Sequence, residues 1–517
     1  MFRLPRPAAF AAGLLLAAPV LASVFGGPAR ADDARPLAVV APWEITGLDP
    51  ARSGYVFARL QIAETLVTAD DGGRPVASLA QAWTISDDRL VWRFGLRPDA
   101  VFHDGTPVTA DAAVASLRRA RANAAGVLAG LPIVAIEAEP GAVVIRTERP
   151  FLSLPAFLAH SSTIVLAPAA YDGAGAVTAI VGTGPYRATV VEPPLKVEAV
   201  RFDRWWGPAP RIARLSYLAV GRGETRTVMA ESGQADVVHV LAPEAIERLR
   251  RNSRLAVTVL PVPRTRAVKL NAGRPPFSDV RAREAFSLAI DREGIAAALL
   301  RSPPSAATQM FPPGLGDWHV AGMAPLRHDP ARAKALLAEA GWRPGPDGIL
   351  AKDGTPFRVT LRTFSDRPEL PPVATAMQGQ LKDVGIDLRV AIVNSGEIPA
   401  GHRDGTLDLA LFARNFALVP DPLGTMLQDF GPQGGDWGAM GWSSQRLGEI
   451  LAALGAEADP ARQAALRGEV ARILQAELPV VPIAWYDYAV AANRRVTDVS
   501  VDPLELSYRI AAMGWAR

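Results

Sequence analysis

The 517-residue chain contains no cysteine. That absence removes disulfides, thiolate metal sites, cysteine nucleophiles and a lipid-modified amino-terminal cysteine. Histidine is scarce, with six in the chain and none after His402, so imidazole chelation has little to draw on in the last fifth of the sequence. No G-x-S-x-G, H-E-x-x-H or phosphate-loop string occurs. A surplus of one charge is missing too. The formal +3 disappears when the three arginines before Asp32 are set aside, leaving 52 basic against 52 acidic residues. A neutral body has no electrostatic case for nucleic acid or an anionic membrane. After the amino terminus no apolar run approaches a membrane-spanning length.

What is present begins with an export signal. Arg3 and Arg6 precede an apolar run from Ala8 to Val24, and Ala29-Arg30-Ala31 offers a small-residue cleavage site. Residues 1–31 are therefore expected to be a signal peptide. The mature chain is expected to be free in the periplasm, without a lipid anchor. A length of 517 residues exceeds one ordinary core, so two or three lobes are expected. Helix and strand patterns alternate, which predicts an α/β fold with a largely parallel sheet. Strands are read at Leu37–Pro42, Ala82–Ile85, Leu90–Leu96, Ala267–Leu270, Val359–Arg362, Ile386–Val390, Leu407–Phe412, Pro479–Trp485 and near Tyr508–Ala511. Ile62–Val67 reads as a helix end. Asp329 and Pro330 open a helix that Gly341 closes.

The stretch Arg264–Ile295 is the most informative. Gly273, Pro275 and Pro276 end its strand, and Ser278 or Asp279 can cap a helix with Val280, Phe286, Leu288 and Ile290 facing inward and Ala285 and Ala289 at close contacts. As a string, L-N-x-x-x-P-P-F-x-D-V-R-x-R-x-A-x-x-x-A-I-D-R resembles the signature of bacterial extracellular solute-binding proteins of the peptide and nickel class, which serve ABC importers. Further landmarks follow in that family's order. They are Leu48-Asp49-Pro50-Ala51, Phe102-His103-Asp104-Gly105, Gly182-Thr183-Gly184-Pro185-Tyr186, Phe202–Gly207 and Ser232–Val237. His103 stands in a turn beside a helix cap with no nucleophile or second ligand nearby, which favours a structural role.

The resemblance implies a two-lobed periplasmic binding protein, a type II Venus-flytrap clamp with an extra subdomain inserted in the amino-terminal lobe. Its expected boundaries are lobe 1 at 32–56, the inserted subdomain at 57–180, lobe 1 again at 181–266, lobe 2 at 267–484 and the return to lobe 1 at 485–517. It also implies an inner-membrane permease and its ATPase as partners, a monomer, a small-molecule ligand and no catalysis or cofactor. The cargo expected is a peptide-like solute. A nickel or other metal chelate is the alternative within the family, and an exported hydrolase the alternative outside it.

The resemblance puts ligand contacts in the loop Leu411–Pro422. Many peptide-binding members carry an Asp three residues before the acidic-Pro step, where it fixes the peptide ammonium. Here that position is Leu418. Arg414, Phe416 and Asp421 fit the spacing of the nickel-importing branch, and Arg414 could hold a carboxylate in a forked pair or serve a structural ion pair. The candidate ligand-binding residues are Tyr55, Arg414, Asn415, Phe416, Asp421, Trp437 and Trp485. Packing is the competing role for Trp437 and loop shaping for Asp421. No residue is assigned to a metal.

Overall fold

The computed structural model describes residues 35–124, 126–431 and 435–516, so the signal-peptide expectation lies outside the described residues. Its spine is a ten-stranded sheet. In order across the sheet the strands are Asp387–Ile392, Arg358–Thr363, Leu409–Asn415, Leu255–Leu270, Val480–Asn493, Val237–His239, Leu37–Ala41, Arg214–Ala219, Lys196–Arg201 and Tyr186–Glu192. The two central strands are 16 and 14 residues long and pair with each other from Leu255↔Asn493 to Lys269↔Val480. The segment between them in sequence supplies the three strands on one side of the sheet, and the segment before the first supplies the five on the other.

The sheet is mixed rather than largely parallel. Parallel triplets stand at each side, Asp387–Ile392 with Arg358–Thr363 and Leu409–Asn415, and Val237–His239 with Leu37–Ala41 and Arg214–Ala219. The centre is antiparallel because the chain leaves one lobe on the first long strand and returns on the second. The first strand also starts twelve residues earlier than Ala267. Pro261 keeps register opposite Asp487, while Pro263 falls where the pairing shifts between Val262 and Thr265, and an irregular ladder tolerates a residue without an N–H.

Alternation of side chains explains the cores. Val39 faces a cluster with Phe57, Tyr186, Tyr217 and Tyr488, while its neighbour Val40 faces one with Val238, Leu241 and Leu249. The other lobe buries Leu270, Phe286, Phe357, Leu361 and Leu411 together. A separate four-stranded sheet, Ala80–Ile85, Val91–Leu96, Ala142–Thr147 and Ile133–Glu139, carries the helix Ala110–Ala122.

The signature segment turns out to be a fastening. Asp279 caps Val280–Leu288 by accepting from the Arg281 N–H at 2.9 Å. Arg283 donates to the carbonyls of Phe277 and Glu477, tying its helix to the end of the helix Pro460–Glu477, and Arg292 donates to those of Ser287 and Pro482, tying the next helix to the second long strand. Phe286, Ala285 and Ile290 are buried, but Val280 is 41% exposed and Leu288 half-buried. Six residues separate Val280 from Phe286, which turns it about 120° off the apolar face; Ala282, four from Phe286, takes the inner place. Two smaller expectations also change. Ile62–Val67 is a turn leading into the strand Val67–Ala69, and Ile510–Ala512 is a 3-10 turn before a short strand at Gly514–Trp515.

Candidate functional site

Where the two long strands pass between the lobes, charged and aromatic side chains gather around a cavity of about 430 Å³. One wall is Trp43, Glu44, Tyr55 and Arg59. The other is Phe364, Asp366, Arg367, Arg414, Leu418 and Trp437, and Arg264 lies at the crossing. Local structure fixes each of these. Asp49 caps the helix Pro50–Arg59 through the Ala51 N–H at 2.8 Å, which presents Tyr55 and Arg59 one turn apart. Tyr55 donates its hydroxyl hydrogen to the Glu44 carbonyl at 3.0 Å. Gly54 allows that helix to approach, since a Cβ there would stand 2.3 Å from the Ser161 carbonyl oxygen.

The electrostatics are unusual for an interior. Arg59, Arg264, Arg266 and Arg367 are all buried, and Tyr486 lies among three of them. Their guanidinium carbons stand 4.0 Å (Arg266), 5.0 Å (Arg264) and 5.1 Å (Arg367) from its ring centre, within cation–π range. Two buried carboxylates answer them. Glu369 accepts from Arg266 Nε at 3.1 Å, and Glu505 Oε1 lies 2.8 Å from Arg264 Nη2. Arg59 donates to the Glu505 backbone carbonyl and Arg367 to the Tyr486 hydroxyl. Burial, together with the like charges of Arg367 and Arg59, depresses the Arg264 guanidinium to about 10. Burial also holds His160 near 4, with Arg414 adding to the effect.

Arg414 and Asp429 form a forked pair on the lobe-2 side, Nε to Oδ2 at 2.5 Å and Nη2 to Oδ1 at 3.1 Å. Behind them Lys269 is buried and depressed to about 7, chiefly by desolvation. Its ammonium donates to the Asp436 carbonyl at 2.9 Å and lies 2.6 Å from His402 Nδ1, which anchors the loop carrying Trp437. Trp437 itself packs on Phe364 and Phe412.

A family model described as bacterial extracellular solute-binding proteins, family 5 middle, matches residues 74–437. The chain belongs to this family. The nickel-binding periplasmic protein of Escherichia coli is 24% identical over 498 residues, covering 90% of this chain and 93% of that protein. The fold of this family 5 chain also matches solved structures. NikA from Staphylococcus aureus, in complex with Ni(L-His)2, superposes with a TM-score of 0.83 at 20% identity, over 93% of this chain and 99% of that one. The oligopeptide-binding protein AppA from Bacillus subtilis, in complex with a nonapeptide, does so with 0.83 at 17% identity and the same coverage. The two-lobed periplasmic binding-protein fold expected from the motifs is the fold observed.

The seven sequence candidates do not gather in one place. Tyr55, Arg414, Asn415 and Trp437 line the 430 Å³ cavity. Asp421 and Trp485 line a larger, proline-rich cavity of about 1090 Å³ on the far side of the Asn415–Pro420 loop. Asp421 caps the helix Pro422–Phe430 and accepts from Ser153, and Trp485 donates to the Gln309 carbonyl. Phe416 lines neither cavity; it is buried against Phe311. Adjacent loop residues point oppositely, Leu418 to the smaller cavity and Ala417 to the larger. Guanidinium, carboxylate and indole groups line both cavities, but three arginines of the smaller one, Arg59, Arg264 and Arg367, are buried, whereas Arg74 of the larger one is exposed and Arg467 half-buried.

Sequence reasoning missed Arg59, Arg264, Arg367 and Trp43. A signal for one was available. Arg264, Arg266 and Lys269 share one strand with Ala267, Val268 and Leu270, and a charge inside a buried strand needs a partner.

Proposed function

We propose that this family 5 chain is the solute-binding component of an ABC importer, exported to the periplasm as a monomer and delivering its cargo to a membrane permease and its ATPase. The observation that supports this most is the polar cavity at the strand crossing, walled by side chains from both lobes. A volume of about 430 Å³ suits a small solute better than a long peptide. The cargo is a short peptide-like molecule, enclosed when the lobes close on it. Arg264, Arg367, Trp43, Tyr55, Asn415 and Trp437 are the contacts to test first, and the four-stranded sheet is an accessory subdomain of the amino-terminal lobe.

A metal chelate is the second reading, favoured by Leu418, which supplies no carboxylate for a peptide ammonium. Among the described residues no three His, Cys, Asp or Glu converge to hold a metal ion. A metal in this cleft would therefore bring its own small ligand, with its carboxylates turned to the guanidinium groups.

Mass spectrometry of small molecules released from protein isolated from the periplasm, with metal analysis of the same sample, identifies the cargo. Small-angle scattering with that cargo restored should show compaction. Cargo binding with no change in shape would count against the clamp.

A further inference from the structure

We infer that the cleft selects solutes bearing a carboxylate, and that Arg264, not Arg414, is the residue that receives it. This rests on the solute-binding reading above and names the chemistry of the same site. Arg414 is the obvious candidate from its loop, but its fork already closes on Asp429 through two hydrogen bonds. Arg264 is in the opposite condition. It is 3% exposed and lines the cavity, and only its Nη2 meets a carboxylate, Glu505 at 2.8 Å. Its Nε and Nη1 have no partner among the described residues, although both are buried. Unmade hydrogen bonds of a buried ion are costly, so such donors call for an acceptor.

The surroundings specify the sign of that acceptor. Arg59 and Arg367 line the same cavity and are also buried; Glu505 answers Arg264 and Arg59 while Glu369 answers Arg266 and Arg367, so four buried guanidinium groups share two buried carboxylates. Glu505 Oε2 is itself unpartnered, which means that the Arg264–Glu505 contact has not closed into a two-pronged pair. Glu44 is exposed and Asp366 half-buried, so the acids that line the cavity are more accessible to water than Arg59, Arg264 and Arg367. A planar carboxylate matches a guanidinium fork, and in a low-dielectric setting it would neutralise the surplus where the site itself cannot.

The test is a thermal-shift titration of the whole mature protein, freed of cargo by unfolding and refolding, with malonate and citrate as probes at constant ionic strength. Saturable protection is expected for the wild type. Arg264→Gln should weaken it at least tenfold, and Arg414→Gln should change it less than threefold. Protection that persists in Arg264→Gln, or none in the wild type, overturns the assignment, and stronger protection by inorganic phosphate overturns the carboxylate preference. If Arg264→Gln does not fold, Arg264→Lys carries the same comparison, since it keeps the charge and removes the fork. These titrations test the anion claim alone. Failure of the natural cargo to compact the protein would instead strike at the solute-binding reading.

Discussion

The guanidinium of Arg414 is clasped by Asp429 in a two-pronged pair whose acid is buried. The residue therefore serves the floor of the cleft before it serves any ligand. Arg414→Ala should strand Asp429 and cost about 3 kcal/mol of stability, at the lower end for a broken buried pair because Lys269 remains nearby. Replacing both partners, Arg414→Met with Asp429→Leu, should recover most of that loss. Denaturant melts of the two singles and the double measure the coupling; additive losses would mean that the pair is not a unit.

Leu418 lines the cavity and supplies no carboxylate to it. Leu418→Asp should raise affinity for L-alanyl-L-alanine about tenfold, worth about 1.4 kcal/mol, by giving the ammonium a partner. Calorimetric titration decides this. Unchanged affinity would show that a peptide amino terminus does not reach this position.

The dependence of stability on pH should show two opposing trends. Glu64 is half-buried, and desolvation raises it from 4.5 to about 7 despite indole N–H bonds from Trp205 and Trp206 at 3.2 Å. Folding thus favours its neutral form, so its contribution is full below about 4.5 and is lost as pH rises through about 7. His103 and His160 are depressed by burial to about 4, and His239 to about 3. Their contribution is full above 6.5 and is lost as pH falls through those values. Glu64→Gln should therefore gain about 3 kcal/mol on the wild type between about pH 5 and about pH 8. A difference that stays flat across that range would mean that Glu64 titrates as an ordinary carboxyl.

Gly184 stands where a Cβ would lie 2.2 Å from the Gln61 carbonyl oxygen and 2.8 Å from its carbon. Both neighbours are backbone, so neither can swing aside. Gly184→Ala should cost about 3 kcal/mol or more by forcing two chain segments apart. A thermal melt within a degree of the wild type would contradict this close approach.

Much of the scaffold was legible because its motifs are local devices. Asp279 accepting from the Arg281 N–H and Asp329 from the Arg332 N–H are each written in a few consecutive residues. The sense of the central strands was not legible, since the pairing of Leu255 with Asn493 spans over two hundred residues. The cavity was legible only where its lining residues sit in a family loop, as Arg414, Asn415 and Leu418 do. Arg59, Arg264 and Arg367 come from three distant segments, and only the crossing of strands makes them neighbours. Phe416 shows the converse. Its spacing suited a ligand contact, but a strand end inverts side chains at each step, and the inward step met Phe311 instead.

The irregular pairing between Val262 and Thr265, and again between Arg266 and Ala267, has a mechanical meaning. A regular ladder of this length would be stiff, and these are the places where it is not. The unpaired donors of Arg264 fall inside that soft interval. A solute that neutralises them would press on the fulcrum rather than on the ends of the lever, so charge in the cargo would be read directly as an angle between the lobes.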